Sequence, residues 1–387
     1  MDTSLALLDA VGARVRRCGA DLCTRPADRL CGDIPEHLAG AMRSSVFYLA
    51  PLLCRVGYVR LPLPGGCRLG PRPVDIHLAG LAAMGAEVEL EGIAVTLRRT
   101  GPLHGVDFTL RLPSVGATMT LLMAACCAAG QTVLRGAAQE PEIGDMIAFL
   151  SACGADIQGA GTPVLTVQGG RPLGGAFHRP LPDRIAAATY AAALACAGGQ
   201  IEIAGCDPAS YDSFLRFLAG TGVQVSRVGD CVRLARDPAV PLRGGAHLRA
   251  DAWPAFATDT APLAAAVLLT AAGASEIYDS LFANRFACAA GFAAMGATGA
   301  GIATVLSQWV NFLLMLLRMH INKIYNYNSA NIPQSKLSCN LDSRFTIDLH
   351  NSFFQIFTAA VTAAVNVNNS HSFCIINYQI TAAAQVY

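Results

Sequence analysis

Ala83-Met84-Gly85-Ala86-Glu87-Val88 carries the end of one helix, a glycine and the opening of a strand, and the chain repeats it. The same pattern stands at Ala10-Val11-Gly12-Ala13-Arg14-Val15 and Ala152-Cys153-Gly154-Ala155-Asp156-Ile157. It returns at Gly220-Thr221-Gly222-Val223-Gln224-Val225 and, degenerately, at Ala294-Met295-Gly296-Ala297. Successive glycines are 73, 69, 68 and 74 residues apart. Glycine there is the expected helix C-cap, because it accepts a left-handed backbone without a Cβ clash. The alternation beyond it, Val88, Leu90, then Ile93, Val95, Leu97, predicts a half-buried hairpin.

A second helix type alternates with the first. Val46 to Cys54, Leu121 to Ala129, Ala186 to Ala197 and Leu263 to Ala272 are apolar on every face, which predicts burial. Each begins beside a Ser, Thr or Asp that can cap it: Ser44-Ser45, Ser114 or Thr118, Asp183, Asp259-Thr260. Each leads through Gly57, Gly130, Gly199 or Gly273 into a short strand. The repeating unit is therefore buried helix, strand, amphipathic helix, strand pair. At about 70 residues it is too long for a thin solenoid of the familiar repeats, and globular domains of several units are expected, their helices enclosed by sheets.

Composition narrows the function. Net charge is +1 with no basic run, so neither nucleic acid nor a membrane surface is an expected partner. The 14 cysteines are scattered, with no Cys-x-x-Cys and no His pair at zinc spacing, and no signal peptide opens the chain. Reduced thiols in the cytoplasm are the expectation. Residues 1–300 hold one asparagine, Asn284, and no lysine; residues 301–387 hold eleven asparagines, both lysines and the single glycine Gly301. Such a break suits a change from GC-rich to AT-rich codons, so 302–387 is expected to be an unrelated tail from a frameshift, insertion or faulty gene reading, with a genuine appended segment as the alternative. Its apolar stretch 302–317 is interrupted by Ser307, Gln308 and Asn311 and is too short for a membrane span.

One loop invites chemistry. In Leu63-Pro64-Gly65-Gly66-Cys67-Arg68-Leu69-Gly70 the glycines and proline predict an exposed turn, and Arg68 and Arg72 favour the thiolate of Cys67. A small buried hydrophobe is the plainer alternative for a free cysteine.

With the repeat and this loop together, residues 3 to 300 resemble the UDP-N-acetylglucosamine 1-carboxyvinyltransferase family of enolpyruvyl transferases. The resemblance is carried by Met42-Arg43-Ser44-Ser45, the Cys67 loop, Arg72-Pro73-Val74-Asp75, Pro113-Ser114-Val115-Gly116-Ala117-Thr118 and Glu140-Pro141-Glu142-Ile143. Leu181-Pro182-Asp183-Arg184-Ile185, Thr258-Asp259 and Phe282-Ala283-Asn284-Arg285-Phe286 complete it. It implies an α/β fold, the inverse α/β prism, in two domains: 1–181 and an incomplete 182–301. It implies transfer of the enolpyruvyl group of phosphoenolpyruvate to the sugar 3'-hydroxyl, in a cleft between the domains, with no metal or redox cofactor.

Residue by residue, Cys67 matches the loop cysteine that protonates the enol carbon or holds an adduct, and Asp259 matches the base facing the hydroxyl. Arg43, Arg72 and Arg285 match arginines around phosphate and carboxylate, where a planar fork suits the anion. Arg72, Pro73, Val74, Asp75, Ile76 and His77 match the stretch along the uridine, and Leu281 and Phe282 match further substrate contacts. Ser114, Val115 and Gly116 match a helix N-terminus that receives the diphosphate, a role its free N–H groups and dipole suit unaided.

Plainer readings stand beside these. Asp259 precedes Thr260-Ala261-Pro262 and could be an N-cap; Asp183 could be a cap or hinge; Asn284-Arg285 could be a solvated turn; Arg43 could pair with a carboxylate. The family's leading Lys-Asn segment and its later arginine in an Arg-Ala-Ser/Gly-Ala context have no counterpart here. A catalytically silent remnant or nucleotide-sugar binder is thus the rival expectation. 5-Enolpyruvylshikimate-3-phosphate synthase, which shares the fold, is disfavoured by the Pro-Gly-Gly-Cys loop and Arg-Pro-Val-Asp. A monomer acting on small molecules is expected.

Overall fold

The computed structural model describes residues 2–18, 21–25, 29–62, 74–229, 231–282 and 285–286. Its helices among those residues are α1 (Asp2–Ala10), α2 (Glu36–Ala39), α3 (Leu49–Val56), α4 (Asp75–Ala83), α5 (Val115–Cys127), α6 (Pro141–Ala152), α7 (Arg184–Ala197), α8 (Asp212–Thr221) and α9 (Ala261–Leu269).

The glycine signal resolves into one motif made four times. After α4, Gly85 N–H donates to Ala82 O at 2.9 Å and Ala86 N–H to Leu81 O at 3.0 Å. The same pair of bonds closes α1 at Gly12 and Ala13, α6 at Gly154 and Ala155, and α8 at Gly222 and Val223. The φ angles of Gly12, Gly85, Gly154 and Gly222 are 84°, 101°, 104° and 104°. This is the Schellman closure, in which a left-handed residue lets two N–H groups fold back onto the last free carbonyls. Gly296 lies outside the described residues.

Sheet order repeats as well. Tyr58–Pro62 pairs with Ala94–Arg98, which pairs with Glu87–Glu91. Gln131–Arg135 pairs likewise with Val164–Gln168 and then Asp156–Gln158, and Gly199–Ile203 with Cys231–Arg236 and then Gln224–Val228. In each, the strand after a buried helix lies beside the second strand of a hairpin. Helices inside and sheets outside are what the inverse prism requires.

Burial follows the helix types. Ten successive residues of α5, from Ala117 to Cys126, are buried, and α5 packs against α3, α4 and α6. The α4–α5 approach is close because Gly80 has no side chain: a Cβ there would lie 2.4 Å from Leu121 Cδ2. One hydrophobic cluster runs from Leu7 to Val167 and another from Ala187 to Val267.

Some expectations are corrected. Glu87–Glu91 is exposed along its length, with Leu90 73% exposed, whereas Val95 and Leu97 are buried. The strand is the sheet's edge, and its alternation has no covered face. Of the nominated caps, Ser114 and Asp183 cap with their side chains, whereas Ser44 and Ser45 fall within a 3-10 turn (Arg43–Tyr48) and Thr260, the N-cap residue of α9, makes no side-chain cap bond. The fourth apolar run also ends early, since Ala271–Ala272 forms a short parallel strand with Leu242–Arg243.

Candidate active site

Asp259 sits in a 3-10 turn (Thr258–Thr260) just ahead of α9. The plain capping role fails there, because Thr260 is the N-cap residue and its hydroxyl turns back to Ala257 O at 2.9 Å. The Asp259 side chain remains 36% exposed. Its two oxygens instead meet two arginines: Arg285 Nη2 is 3.4 Å from Oδ1, and Arg184 Nη2 is 3.8 Å from Oδ2.

Both arginines are buried, and each has a second carboxylate. Arg285 Nε reaches Asp279 Oδ2 at 3.3 Å, Nη2 donates to the Thr258 hydroxyl, and the guanidinium stacks over Phe282 at 4.5 Å. Arg285 is therefore no solvated turn residue. Asp279 Oδ1 in turn accepts the backbone N–H groups of Leu281 and Phe282, at 2.9 and 2.8 Å, which fixes the short turn carrying Arg285. Leu281 stays exposed.

Arg184 opens α7 behind the Asp183 cap, whose Oδ1 accepts N–H from Ile185 and Ala186. Its Nε donates to Glu142 Oε1 at 2.9 Å, and Trp253 flanks the guanidinium. Glu140, the N-cap residue of α6, completes the cluster with a buried Oε2 that has no hydrogen-bond partner among the described residues. Burial, with lesser repulsion from Glu142 and Asp259, pushes its carboxyl above the usual range, against a hydrogen bond from its own backbone N–H and the pull of Arg184.

The other nominated residues gather elsewhere. Ser114 Oγ accepts the Ala117 N–H at 3.3 Å, and Ser114, Val115 and Gly116 are half-buried at the head of the 13-residue α5. Of residues 74–77 only Asp75 faces solvent, where Arg111 Nη2 pairs with it at 2.6 Å. Val74 and Ile76 are in the core, and His77 is buried under α5 with Nδ1 2.9 Å from Thr120 Oγ1. Burial, aided by the positive charge of Arg43, pushes His77 down to about 3, so the ring is neutral. An exposed role for His77 along a nucleotide does not fit that placement. Cys67, Arg72 and Pro73 lie outside the described residues, as does Asn284.

Glu140, Glu142, Arg184 and Asp279 were given no role on sequence grounds. The available signal was an arginine at the mouth of an otherwise alanine-rich helix, a costly place for charge unless carboxylates await it. Among the described residues no group of three or more His, Cys, Asp or Glu is placed to hold a metal ion, and no helix is long and apolar enough to cross a membrane.

Comparison with known proteins agrees with this architecture. Residues 1–303 match the family model described as EPSP synthase (3-phosphoshikimate 1-carboxyvinyltransferase). The UDP-N-acetylglucosamine 1-carboxyvinyltransferase of Acidiphilium cryptum is 40% identical over 287 residues, which is 73% of this chain and 67% of that protein. That of Gluconacetobacter diazotrophicus is 42% identical over 254 residues, covering 66% of this chain and 60% of its own length. The chain thus spans about three fifths to two thirds of these relatives. Among solved structures, the enolpyruvyl transferase NikO from Streptomyces tendae superposes with a TM-score of 0.65 at 24% identity, covering 76% of this chain and 71% of that one. EPSP synthase from Acinetobacter baumannii shares the fold at a TM-score of 0.52 and 16% identity, covering 71% and 64%. With helices inside, sheets outside and these relatives, the chain belongs to the EPSP synthase family, alongside the UDP-N-acetylglucosamine 1-carboxyvinyltransferases.

Proposed function

We propose that the chain transfers the enolpyruvyl group of phosphoenolpyruvate to the 3'-hydroxyl of UDP-N-acetylglucosamine, releasing phosphate. The observation that carries this reading is Asp259, a part-exposed carboxylate held at both oxygens by buried guanidiniums. Such a group is oriented at both oxygens and open on one side, as a base facing a sugar hydroxyl must be. At the head of α5 the N–H groups of Val115 and Gly116 would face a diphosphate, those of Ser114 and Ala117 being taken by Leu112 O and the Ser114 hydroxyl. Cys67 on its loop is the proposed proton donor to the enol carbon, with Arg43 and Arg72 on the anionic groups. The two lobes of this proposal are 1–181 and 182–301, supported by the separate hydrophobic clusters Leu7–Val167 and Ala187–Val267, and a monomer acting on small molecules in the cytoplasm is its setting.

Incubating the full chain with phosphoenolpyruvate and UDP-N-acetylglucosamine should yield free phosphate and an acceptor heavier by one enolpyruvyl group. Asp259→Asn should cut turnover roughly 100- to 10,000-fold while leaving acceptor binding near normal, since an amide cannot take the proton. Product formed from shikimate 3-phosphate instead would move the chain to the sister activity. Acceptor binding without turnover would replace the proposal by a nucleotide-sugar binder.

A further inference from the structure

Arg184 is almost entirely buried, yet three carboxylates share it. Nε and Nη2 lie 2.9 and 3.4 Å from the two oxygens of Glu142, a forked contact that fixes the plane of the guanidinium. The same Nη2 lies 3.8 Å from Asp259 Oδ2, an ion-pair distance rather than a hydrogen bond. Burial works against the charge, but Glu142, Asp259 and Glu140 outweigh it and hold the pKa above the ordinary arginine value. The partners come from different parts of the fold. Glu142 lies in the first turn of α6, among the helices of the first hydrophobic cluster, and Asp259 lies ahead of α9 in the second.

Packing alone gives little reason for such an arginine, because a buried ion pair stabilises no better than apolar residues of equal volume. Geometry gives a reason. With its plane set by Glu142, the guanidinium presents Nη2 to one oxygen of Asp259 while Arg285 holds the other. Two contacts on two oxygens restrict rotation of the carboxylate. We propose that Arg184 is a positioning residue that ties the orientation of the Asp259 carboxylate to the seating of Glu142, so that the candidate base is aligned only when both clusters are in register. Its catalytic consequence rests on the transferase reading; the coupling itself does not.

Two measurements on the full chain separate these. In the first, thermal midpoints are measured for Glu142→Gln, Asp259→Asn and the double variant, with Arg184 present and with Arg184→Gln. The losses should be non-additive with Arg184 and additive without it, since the two carboxylates communicate through the guanidinium. Additivity with Arg184 in place, or coupling that survives its removal, overturns the inference. Should Arg184→Gln fail to fold, Arg184→Lys serves as the background, because an ammonium keeps the charge but cannot bridge as a planar fork, and the coupling must weaken. In the second, Arg184→Lys should lower kcat about 10-fold or more, with KM for UDP-N-acetylglucosamine within about twofold of wild type. A raised KM at unchanged kcat would make Arg184 a substrate-binding residue and overturn the inference. If the wild-type chain shows no turnover, the transferase reading fails while the first measurement still decides the coupling.

Discussion

Leu121 occupies the space that a side chain on Gly80 would need: a Cβ there would sit 2.4 Å from its Cδ2 and 2.6 Å from its Cδ1. Both residues are buried where α4 crosses α5, and α5 is buried along most of its length. Neither partner can move aside without disturbing the core.

Gly80→Ala should therefore destabilise the protein by about 1–3 kcal/mol, although alanine is the better helix former. Urea denaturation would measure it. A neutral or stabilising result would mean that the helices can slide apart at this crossing.

His77 predicts an acid sensitivity with a definite sign. Its folded value of about 3 lies below the ordinary 6.5 of an unfolded histidine. Between those limits the unfolded chain binds a proton that the folded chain refuses, so folding weakens as pH falls from 6.5 toward 3. The slope from this residue is at most about 1.4 kcal/mol per pH unit. His77→Gln should flatten the thermal midpoint against pH in that window relative to wild type, and parallel curves would refute the assignment.

Glu140 predicts the opposite sign. Burial raises its carboxyl in the folded state, so the folded chain holds the proton more tightly and loses stability as pH rises past the unfolded value. Glu140→Gln should gain about 1 kcal/mol at neutral pH, the order of cost for a buried polar atom without a partner. The gain should disappear in acid; a loss at neutral pH would show that attraction to Arg184 outweighs burial.

Among the ten described cysteines, Cys127 should alkylate first. A hydrogen bond from Cys54 favours its thiolate; burial opposes this, and Arg55 and Arg99 reinforce it, so that it is pulled down to about 7. Cys54→Ala should slow that labelling by removing the hydrogen-bond donor to the thiolate. Peptide mapping after brief iodoacetamide treatment ranks it against Cys67; faster labelling of Cys126 or Cys206, whose thiols burial pushes up, would contradict the ordering.

The fold was legible wherever a local rule forces a residue type. A left-handed helix end demands glycine, which is why Gly12, Gly85, Gly154 and Gly222 announce the repeat. Apolar runs announced the buried helices for a similarly local reason. Val88 and Leu90 misled because alternation tells which residues share a face but not whether anything covers it. The site was less legible still. Asp259 stood out only through family resemblance, and Arg184 and Glu142 are 42 residues apart in sequence. A charge neutralised from that distance leaves no periodic trace.

The fourfold helix closure bears on how the chain reaches its fold. In the repeat beginning at Leu81, both closure bonds and the following hairpin, Glu91 opposite Ala94, join residues close together in sequence. Such modules can form early and separately, because little loop entropy is lost in closing them. The pairing of Asp107–Thr109 with Gln131–Arg135 must wait for α5 to bridge them, and the Arg184–Glu142 contact must wait for both clusters. Refolding should then proceed as fast independent steps within repeats followed by slow docking, with the charged cluster around Asp259 assembled last.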